Sequence, residues 1–437
     1  MIKYLKSLNL ILLVGIMTGQ TAESLFEKGV VAYDAGEYNQ AETLFQQVVS
    51  KDDMNAPAHF YIAQLMFRWG KMDETQHHML QAIESDPKNQ EYRDEFDRLK
   101  EINTLMGDGA RSMSGQRFDE AFETYRIVLE KVPFYGEAAY SMGLAKFRAK
   151  NFDEAVIHFQ KALEINPDHE NARAALTNVA KKTFNEGNTA YKRRNLEEAI
   201  SKYEAVLSID GQFYQAYYQL GVIKTKMQNI SGAISSYEKA LEINPDFYKG
   251  WFALGIAKNR ANDSEGAFLA FQKTVDVHPG YAKAYAEMGK IHLDNKAYSE
   301  AEDILKTAIQ VNPKYAKSYE LLGIIYIEQD LIDEAITNLE LSATFKPKNA
   351  MVWYRLAQTY NKLADCENAI RCAREATDRK KSFGGGWVEL GIAEWCGGRG
   401  SKTAALNALE KARNDRTWRK MAEYEMDKVK NPEKYID

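Results

Sequence analysis

Histidine and cysteine are the side chains of this sequence whose spacing would most readily reveal a reactive or metal-binding site. His77 and His78 are adjacent, so on an α-helix their side chains point about 100° apart and do not easily share a metal ion. The other histidines stand at unrelated positions, namely His59, His158, His169, His278 and His292. We therefore interpret the histidines as packed or solvated side chains and expect no metal site.

The cysteines Cys366, Cys372 and Cys396 are close in sequence, but their spacing is not that of a zinc site. On one helix Cys366 and Cys372 would be about 9 Å apart along the axis, beyond the reach of a disulfide. Antiparallel packing of consecutive helices would allow Cys366 to meet Cys396. Two alternatives remain open, a Cys366–Cys396 disulfide if the protein is exported, or three free thiols.

Sequence motifs of common enzyme classes are missing. The sequence has no Gly-x-x-x-x-Gly-Lys-Ser/Thr, no Gly-x-Ser-x-Gly and no His-Glu-x-x-His. Gly384-Gly385-Gly386 is not preceded by the strand that a phosphate-binding loop needs. We expect a protein that is not an enzyme and that needs no cofactor.

Charge and composition further narrow the functional class of the protein. The chain has 57 basic and 62 acidic residues, and its pI near 6.0 argues against a nucleic-acid-binding protein, which would usually carry a basic face. Apolar residues make up 45% of the sequence, which is enough for a packed core and argues against disorder.

The first 22 residues differ from the rest of the chain. Lys3 and Lys6 precede an apolar run from Leu8 to Met17, which is followed by small and polar residues up to Ala22. This order is typical of a secretory signal peptide, and the run is shorter than the roughly 20 residues of a spanning helix. We therefore expect export to the periplasm or cell envelope. The alternative is an uncleaved N-terminal membrane anchor.

An internal repeat with a period of 34 residues organises almost all of the remaining sequence. The segment 151–167 aligns without a gap with 229–245, and both end in Asn-Pro. A small residue occupies repeat position 8, at Gly29, Ala63, Gly109, Gly143, Gly187, Gly221, Gly255, Gly289, Gly323, Ala357 and Gly391. Position 20 is Ala in every repeat except the second, where it is Thr75. Seven of the 9 prolines close a repeat.

This pattern resembles the tetratricopeptide repeat family, whose signature is Trp-x2-Leu-Gly-x2-Tyr followed by spaced Ala, Phe and Pro residues. Trp251, Leu254 and Gly255 match the beginning of that signature, and Phe271 and Pro279 match later positions. The resemblance implies an all-α, right-handed solenoid superhelix of about eleven helix-turn-helix units, in which small residues let paired helices approach and Pro ends the second helix.

The period is interrupted twice, before the third and the fifth repeats. Both added segments lack Gly and Pro, and each adds about three helical turns, so we predict long first helices near 90–114 and 170–194. They are interpreted either as tolerated insertions or as arms for dimerisation or docking. The predicted organisation is 1–22 signal peptide or anchor, 23–89 repeats 1–2, 90–101 insertion, 102–169 repeats 3–4, 170–179 insertion, 180–419 repeats 5–11 and 420–437 capping helix and tail.

Binding residues are implied by the resemblance. In the family, positions 2, 5, 6, 9, 12 and 13 of the first helices line a groove for a partner. Transferred by position, the groove residues are Phe184, Asn188, Tyr191, Lys192, Tyr218, Gln219, Lys249, Phe252, Asn259 and Arg260. Aromatic rings among amides and cations suit an extended peptide with some negative charge. The alternative is that the same aromatic rings only pack neighbouring helices.

Three functions are compatible with such an array. The first is a non-catalytic scaffold or adaptor in the cell envelope that binds a protein or an extended peptide, with homo-oligomers possible. The second is a regulatory or substrate-recruiting subunit of an enzyme whose catalytic chain is separate. The third, an RNA-binding helical-repeat array, is opposed by the acidic balance, so we expect no nucleic acid partner, and membrane contact only through the N-terminal segment.

Overall fold

The computed structural model describes residues 21–435, so the expected signal peptide lies almost entirely outside the described residues. Residues 21–435 contain 23 α-helices and no strand. None of these helices combines the length and apolarity needed to cross a membrane. The helices pack as consecutive antiparallel pairs, so the all-α helix-turn-helix architecture predicted from the repeat is confirmed.

The chain divides into two compact units, and the first ends at Gln212. It contains repeats 1 to 5 as the pairs α1 (Ala22–Asp34) and α2 (Tyr38–Lys51), α3 (Ala56–Arg68) and α4 (Met72–Ser85), α5 (Gln90–Ser114) and α6 (Phe118–Lys131), α7 (Gly136–Arg148) and α8 (Phe152–Ile165), and α9 (Glu170–Lys192) and α10 (Leu196–Ile209).

The second unit begins at Phe213. It contains repeats 6 to 11 as the pairs α11 (Tyr214–Lys226) and α12 (Ile230–Ile243), α13 (Tyr248–Arg260) and α14 (Ser264–Val277), α15 (Ala282–Asp294) and α16 (Tyr298–Val311), α17 (Ala316–Glu328) and α18 (Ile332–Phe345), α19 (Ala350–Lys362) and α20 (Cys366–Arg379), and α21 (Gly384–Trp395) and α22 (Lys402–Ala412), followed by α23 (Arg419–Lys430).

Glycine at position 8 gives room to the bulky residue at position 24 of the same repeat. A Cβ added to Gly255 would lie 2.7 Å from Cδ1 of Phe271, and one added to Gly187 would lie 2.7 Å from Cε1 of Tyr203. All nine glycines at position 8 have such a close neighbour at position 24. In repeat 10, where position 24 is Ala373, position 8 is Ala357. Glycine thus occurs at position 8 where a ring or a branched side chain at position 24 packs against it.

The proline that closes a repeat also supplies a hydrogen-bond acceptor. The indole Nε1–H of Trp251 donates to the carbonyl oxygen of Pro245 at 2.8 Å, and that of Trp353 donates to Pro347 at 2.9 Å. The hydroxyl of Tyr319 does the same to Pro313 at 3.0 Å. Each donor is at position 4 of the next first helix, six residues after the proline. This bond orders the connection between repeats and was not foreseen from the sequence.

The turn inside every repeat passes through a left-handed residue at position 15. Three of these residues are glycines, and the others include Lys150 with φ 64°, Arg194 with φ 65° and Ala364 with φ 55°. Glycine is the usual residue at such a position because it has no Cβ to clash. Because most of these positions carry a residue other than glycine, the sequence did not reveal the left-handed turn.

The long first helices α5 and α9 span 25 and 23 residues, where most first helices have 13. The added turns of α5 bury Tyr92 and Leu99, and the ring of Tyr92 lies 4.8 Å from that of Phe60. The added turns of α9 bury Ala172 completely. Since these apolar faces are packed inside the first unit, the burial favours tolerated insertions over projecting arms. The boundary between the compact units coincides with neither insertion, and the block division stays a prediction.

The C-terminal helix α23 covers the last repeat, but Trp418, Met421 and Tyr424, which stand at helical spacing in the sequence, do not form its buried face. Its buried side chains are Ala422 and Val429, whereas Met421 and Tyr424 are about half exposed. Trp418 precedes the helix and packs on Tyr354, Phe383 and the glycines that begin α21. The backbone N–H of Gly384 donates to Asp415 Oδ2 at 2.9 Å. Gly384 and Gly385 therefore form a docking surface for the segment before α23, whereas Gly386 faces Thr377 and Ala376.

Candidate functional site: the first-helix faces

In the first unit, the groove residues of α9 are partly occupied by the fold. The ring of Phe184 is half-buried, 5.4 Å from the ring of Tyr203. The hydroxyl of Tyr203 donates to Asn188 Oδ1 at 2.8 Å, and burial raises the pKa of Tyr203 to about 12. Tyr191 is half-buried and Lys192 is exposed. Asn188 therefore has a structural role, which weakens the expectation that it contacts a partner.

In the second unit, the aromatic groove residues pack at the junction of successive repeats. The ring of Tyr218 on α11 lies 5.8 Å from Tyr237 and 5.0 Å from Phe247. The ring of Phe252 on α13 lies 5.5 Å from Phe271 and 5.2 Å from Tyr281. Both rings remain half-exposed. They thus stabilise the repeat junction and still present a ring surface to solvent.

The polar groove residues of the second unit differ from Asn188, because their side chains have no hydrogen-bond or ionic partner among the described residues. Gln219, Lys249, Asn259 and Arg260 make no hydrogen bond or ion pair through their side chains to another described residue. Lys249 and Arg260 are exposed, and the Lys249 ammonium lies 5.8 Å from the centre of the neighbouring Tyr248 ring. Cations on the second helices differ, since Lys239 pairs with Glu242 at 2.7 Å and Lys273 pairs with Asp276 at 3.8 Å. The first-helix face of repeats 6 and 7 therefore has unused donors beside half-buried rings.

The structure brings Cys366 and Cys396 together in a disulfide, with their Cα atoms 5.7 Å apart. The bond joins the start of α20 to the residue after α21, next to the enlarged turn at Gly397 and Gly398. Cys372 is a buried free thiol, and burial raises its pKa to about 11. A thiol with so high a pKa is protonated at neutral pH and is a poor nucleophile.

A buried carboxyl group at a groove position of repeat 11 was missed by the sequence analysis. Glu389 is at position 6 of α21 and is 6% exposed. The side-chain amide of Asn361, at position 12 of α19, donates to Glu389 Oε2 at 2.8 Å. Burial, with a smaller contribution from the nearby carboxyl group of Glu425 on α23, raises the pKa of Glu389 to about 7, although the hydrogen bond from Asn361 acts in the opposite direction. The repeat position of Glu389 predicts that it faces the groove. Its burial could not be predicted in the same way, because it depends on the packing of α23.

The described part of the chain contains no large cluster of metal-binding side chains. Within residues 21–435, no cluster of three or more His, Cys, Asp or Glu side chains is arranged to hold a metal ion.

The sequence matches family models described as Tetratricopeptide repeat over residues 26–75, 136–169, 214–247, 282–315, 316–349 and 350–383. Together these segments cover half of the chain. The chain is 32% identical over 94 residues to the DnaJ homolog subfamily C member 7 homolog of Schizosaccharomyces pombe. That match spans 21% of this chain and 20% of the curated relative, about a fifth of its length.

Solved structures with a similar course of the chain include the APC/C hetero-tetramer Cut9-Hcn1, at 13% identity and a TM-score of 0.47, covering 94% of this chain and 96% of that one. Another is a tetratricopeptide repeat protein from Parabacteroides merdae, at 14% identity and a TM-score of 0.44, covering 58% of this chain and 99% of that one. The matched segments, the paired helices and the positions of glycine and proline together show that the chain belongs to the tetratricopeptide repeat family.

Proposed function

We propose that this chain is a non-catalytic scaffold or adaptor that binds an extended segment of another protein along the first-helix face of repeats 6 and 7. Tetratricopeptide repeat proteins generally act by binding other proteins. The observation that carries the proposal for this chain is the set of unused donors at Gln219, Lys249, Asn259 and Arg260. Their neighbours Tyr218 and Phe252 offer half-exposed rings to the same face.

The chemistry of this face defines the partner. Amide side chains are suited to the backbone groups of an extended peptide, and partly accessible rings are suited to its apolar side chains. Lys249 and Arg260 have no carboxylate partner within residues 213–435, so a partner with Asp or Glu side chains or a free C-terminus would form charge-assisted hydrogen bonds with them. The proposed ligand is therefore an extended, partly acidic peptide segment.

Photocrosslinking from inside the native cell tests this proposal. A photoreactive amino acid is placed at Gln219 and, as a matched control, at Ser235, which is exposed on the second helix of the same repeat. We expect a discrete crosslinked partner from position 219 and none from position 235. Equal adducts from the two positions, or none from position 219, would contradict the proposal.

We further propose that the protein is exported to the periplasm or cell envelope. The support is the order of basic, apolar and small residues before Ala22, together with the Cys366–Cys396 disulfide, since disulfides persist in oxidising compartments. Retention of the N-terminal segment as a membrane anchor is the alternative within this proposal.

Intact mass spectrometry of protein from acid-quenched cells, alkylated in denaturant without a reducing agent, tests export and the disulfide together. We expect a chain that has lost residues 1–22 and carries one alkylated cysteine, Cys372. A full-length chain with one alkylated cysteine would indicate the uncleaved anchor. A full-length chain with three alkylated cysteines would exclude export.

A further inference from the structure

Two histidines of repeat 2 form a pair that no repeat position would lead one to expect. His59 is at position 4 of α3 and His78 is near the middle of α4. Their Nδ1 atoms are 2.8 Å apart, and their ring centres are 5.1 Å apart. His59 is 4% exposed, whereas His78 is half-buried. The pair is therefore fixed on one side and open to solvent on the other.

The hydrogen bonds of the pair assign its protons. Nε2 of His59 lies 3.0 Å from the carbonyl oxygen of Asp53, which only accepts, so the proton of neutral His59 is on Nε2. The lone pair of His59 then remains on Nδ1 and points at His78. Nδ1 of His78 then supplies the proton that the two Nδ1 atoms share. Nε2 of His78 makes no hydrogen bond within residues 21–435.

This arrangement has the features of a metal-ligating imidazole. A ligating histidine usually donates its other ring N–H to a backbone carbonyl or a carboxylate, which fixes the tautomer and aims the lone pair. His59 already does this through Asp53. Neutral imidazoles suit zinc, copper and nickel. Two nitrogens on a tetrahedral zinc ion are about 3.3 Å apart, so the 2.8 Å pair would open by roughly 0.5 Å.

We propose that His59 and His78 bind one divalent transition-metal ion of the zinc class through their Nδ1 atoms, with the other coordination positions taken by water or by a partner's side chain. On binding, His78 changes tautomer, so that its proton moves from Nδ1 to Nε2 by exchange with water. No redox step and no net proton release is involved. The site is independent of the peptide-binding face proposed for repeats 6 and 7.

Zinc titration of the purified full chain by calorimetry at neutral pH tests the site. We expect one zinc ion per chain, and binding weakened at least tenfold by His78→Gln, since that variant removes one of two protein ligands. His158→Gln, which alters a half-buried histidine packed on Phe122, is the matched control and should bind zinc as the unaltered chain does. Equal zinc binding by the unaltered chain and His78→Gln would overturn the proposal.

A second measurement on the unaltered chain guards against misfolding of the variant. The protein has 7 histidines, and zinc is expected to shift the imidazole NMR signals of two of them. Zinc should also raise the melting temperature, because it binds the folded chain only. Shifts spread over all histidine signals, or no shift at all, would show that His59 and His78 form only a structural hydrogen bond.

Discussion

Gly109→Ala is expected to destabilise the first unit by about 2 kcal/mol, whereas Gly107→Ala, two residues earlier on the same helix, is expected to stabilise it by up to about 1 kcal/mol. A Cβ at Gly109 would lie 2.6 Å from Cζ of Tyr125, a buried side chain, so the ring or a helix must shift. A Cβ at Gly107 has nothing within 4 Å, and alanine is the better helix former. Urea unfolding followed by circular dichroism measures both.

The contact with Tyr125 can be isolated by a double-mutant cycle. In the Tyr125→Ala background, which copies the Ala–Ala combination of repeat 10, Gly109→Ala should cost nothing or stabilise slightly. Equal destabilisation by the two glycine variants would contradict the role given to position 8. The same conclusion would follow if the cost of Gly109→Ala persisted without the Tyr125 ring.

Glu389→Gln is expected to remove much of the pH dependence of stability of the second unit above pH 5. The pKa of Glu389 is raised from 4.5 to about 7 in the fold, mainly by burial, so the folded chain binds more protons than the unfolded chain between these values. Stability therefore falls as pH rises through this window, by about 3 kcal/mol when complete. Glutamine is neutral and can still accept the hydrogen bond from Asn361.

The unaltered chain and the variant should have similar unfolding free energies near pH 5. At pH 8 the variant should be the more stable by about 3 kcal/mol. A smaller residual dependence is expected from Glu425, whose pKa burial also raises. Glu265→Gln, at an exposed position of α14, is the control and should keep the full pH dependence. If Glu389→Gln lost stability at pH 8, the burial of an ionisable carboxyl group would not be the cause.

The repeat architecture was predictable because its determinants recur at fixed positions. Position 8 glycine, position 20 alanine and the closing proline act locally, within one helix pair or one turn, so their period alone specifies the pairs. The same period showed where α5 and α9 would be long. The face that α23 buries was not predictable from Met421 and Tyr424, because the packing of Ala422 and Val429 decided it.

The candidate groove was predictable by position but not by the state of each side chain. Asn188 and Lys249 are equivalent in the sequence as polar groove residues, yet Asn188 accepts a hydrogen bond from Tyr203 while Lys249 has no ionic partner among residues 213–435. The contact of Asn188 depends on Tyr203, the residue at position 24 of the facing helix.

The His59–His78 contact likewise requires the antiparallel register of α3 and α4. Since positions 8 and 20 face each other, position 4 faces the part of the second helix that contains His78. The register of the two helices was therefore the feature of the sequence from which the His59–His78 contact could have been predicted.

Partner binding by the first-helix face of repeats 6 and 7 is tested most directly by the crosslink from position 219 when it is combined with charge removal. Lys249→Ala with Arg260→Ala should reduce the yield of the crosslinked partner at least tenfold, because two charge-assisted hydrogen bonds are lost. Lys239→Ala with Lys273→Ala, which removes the same charge from the second helices, should leave the yield unchanged. Equal yields from both double variants would contradict the proposed binding face.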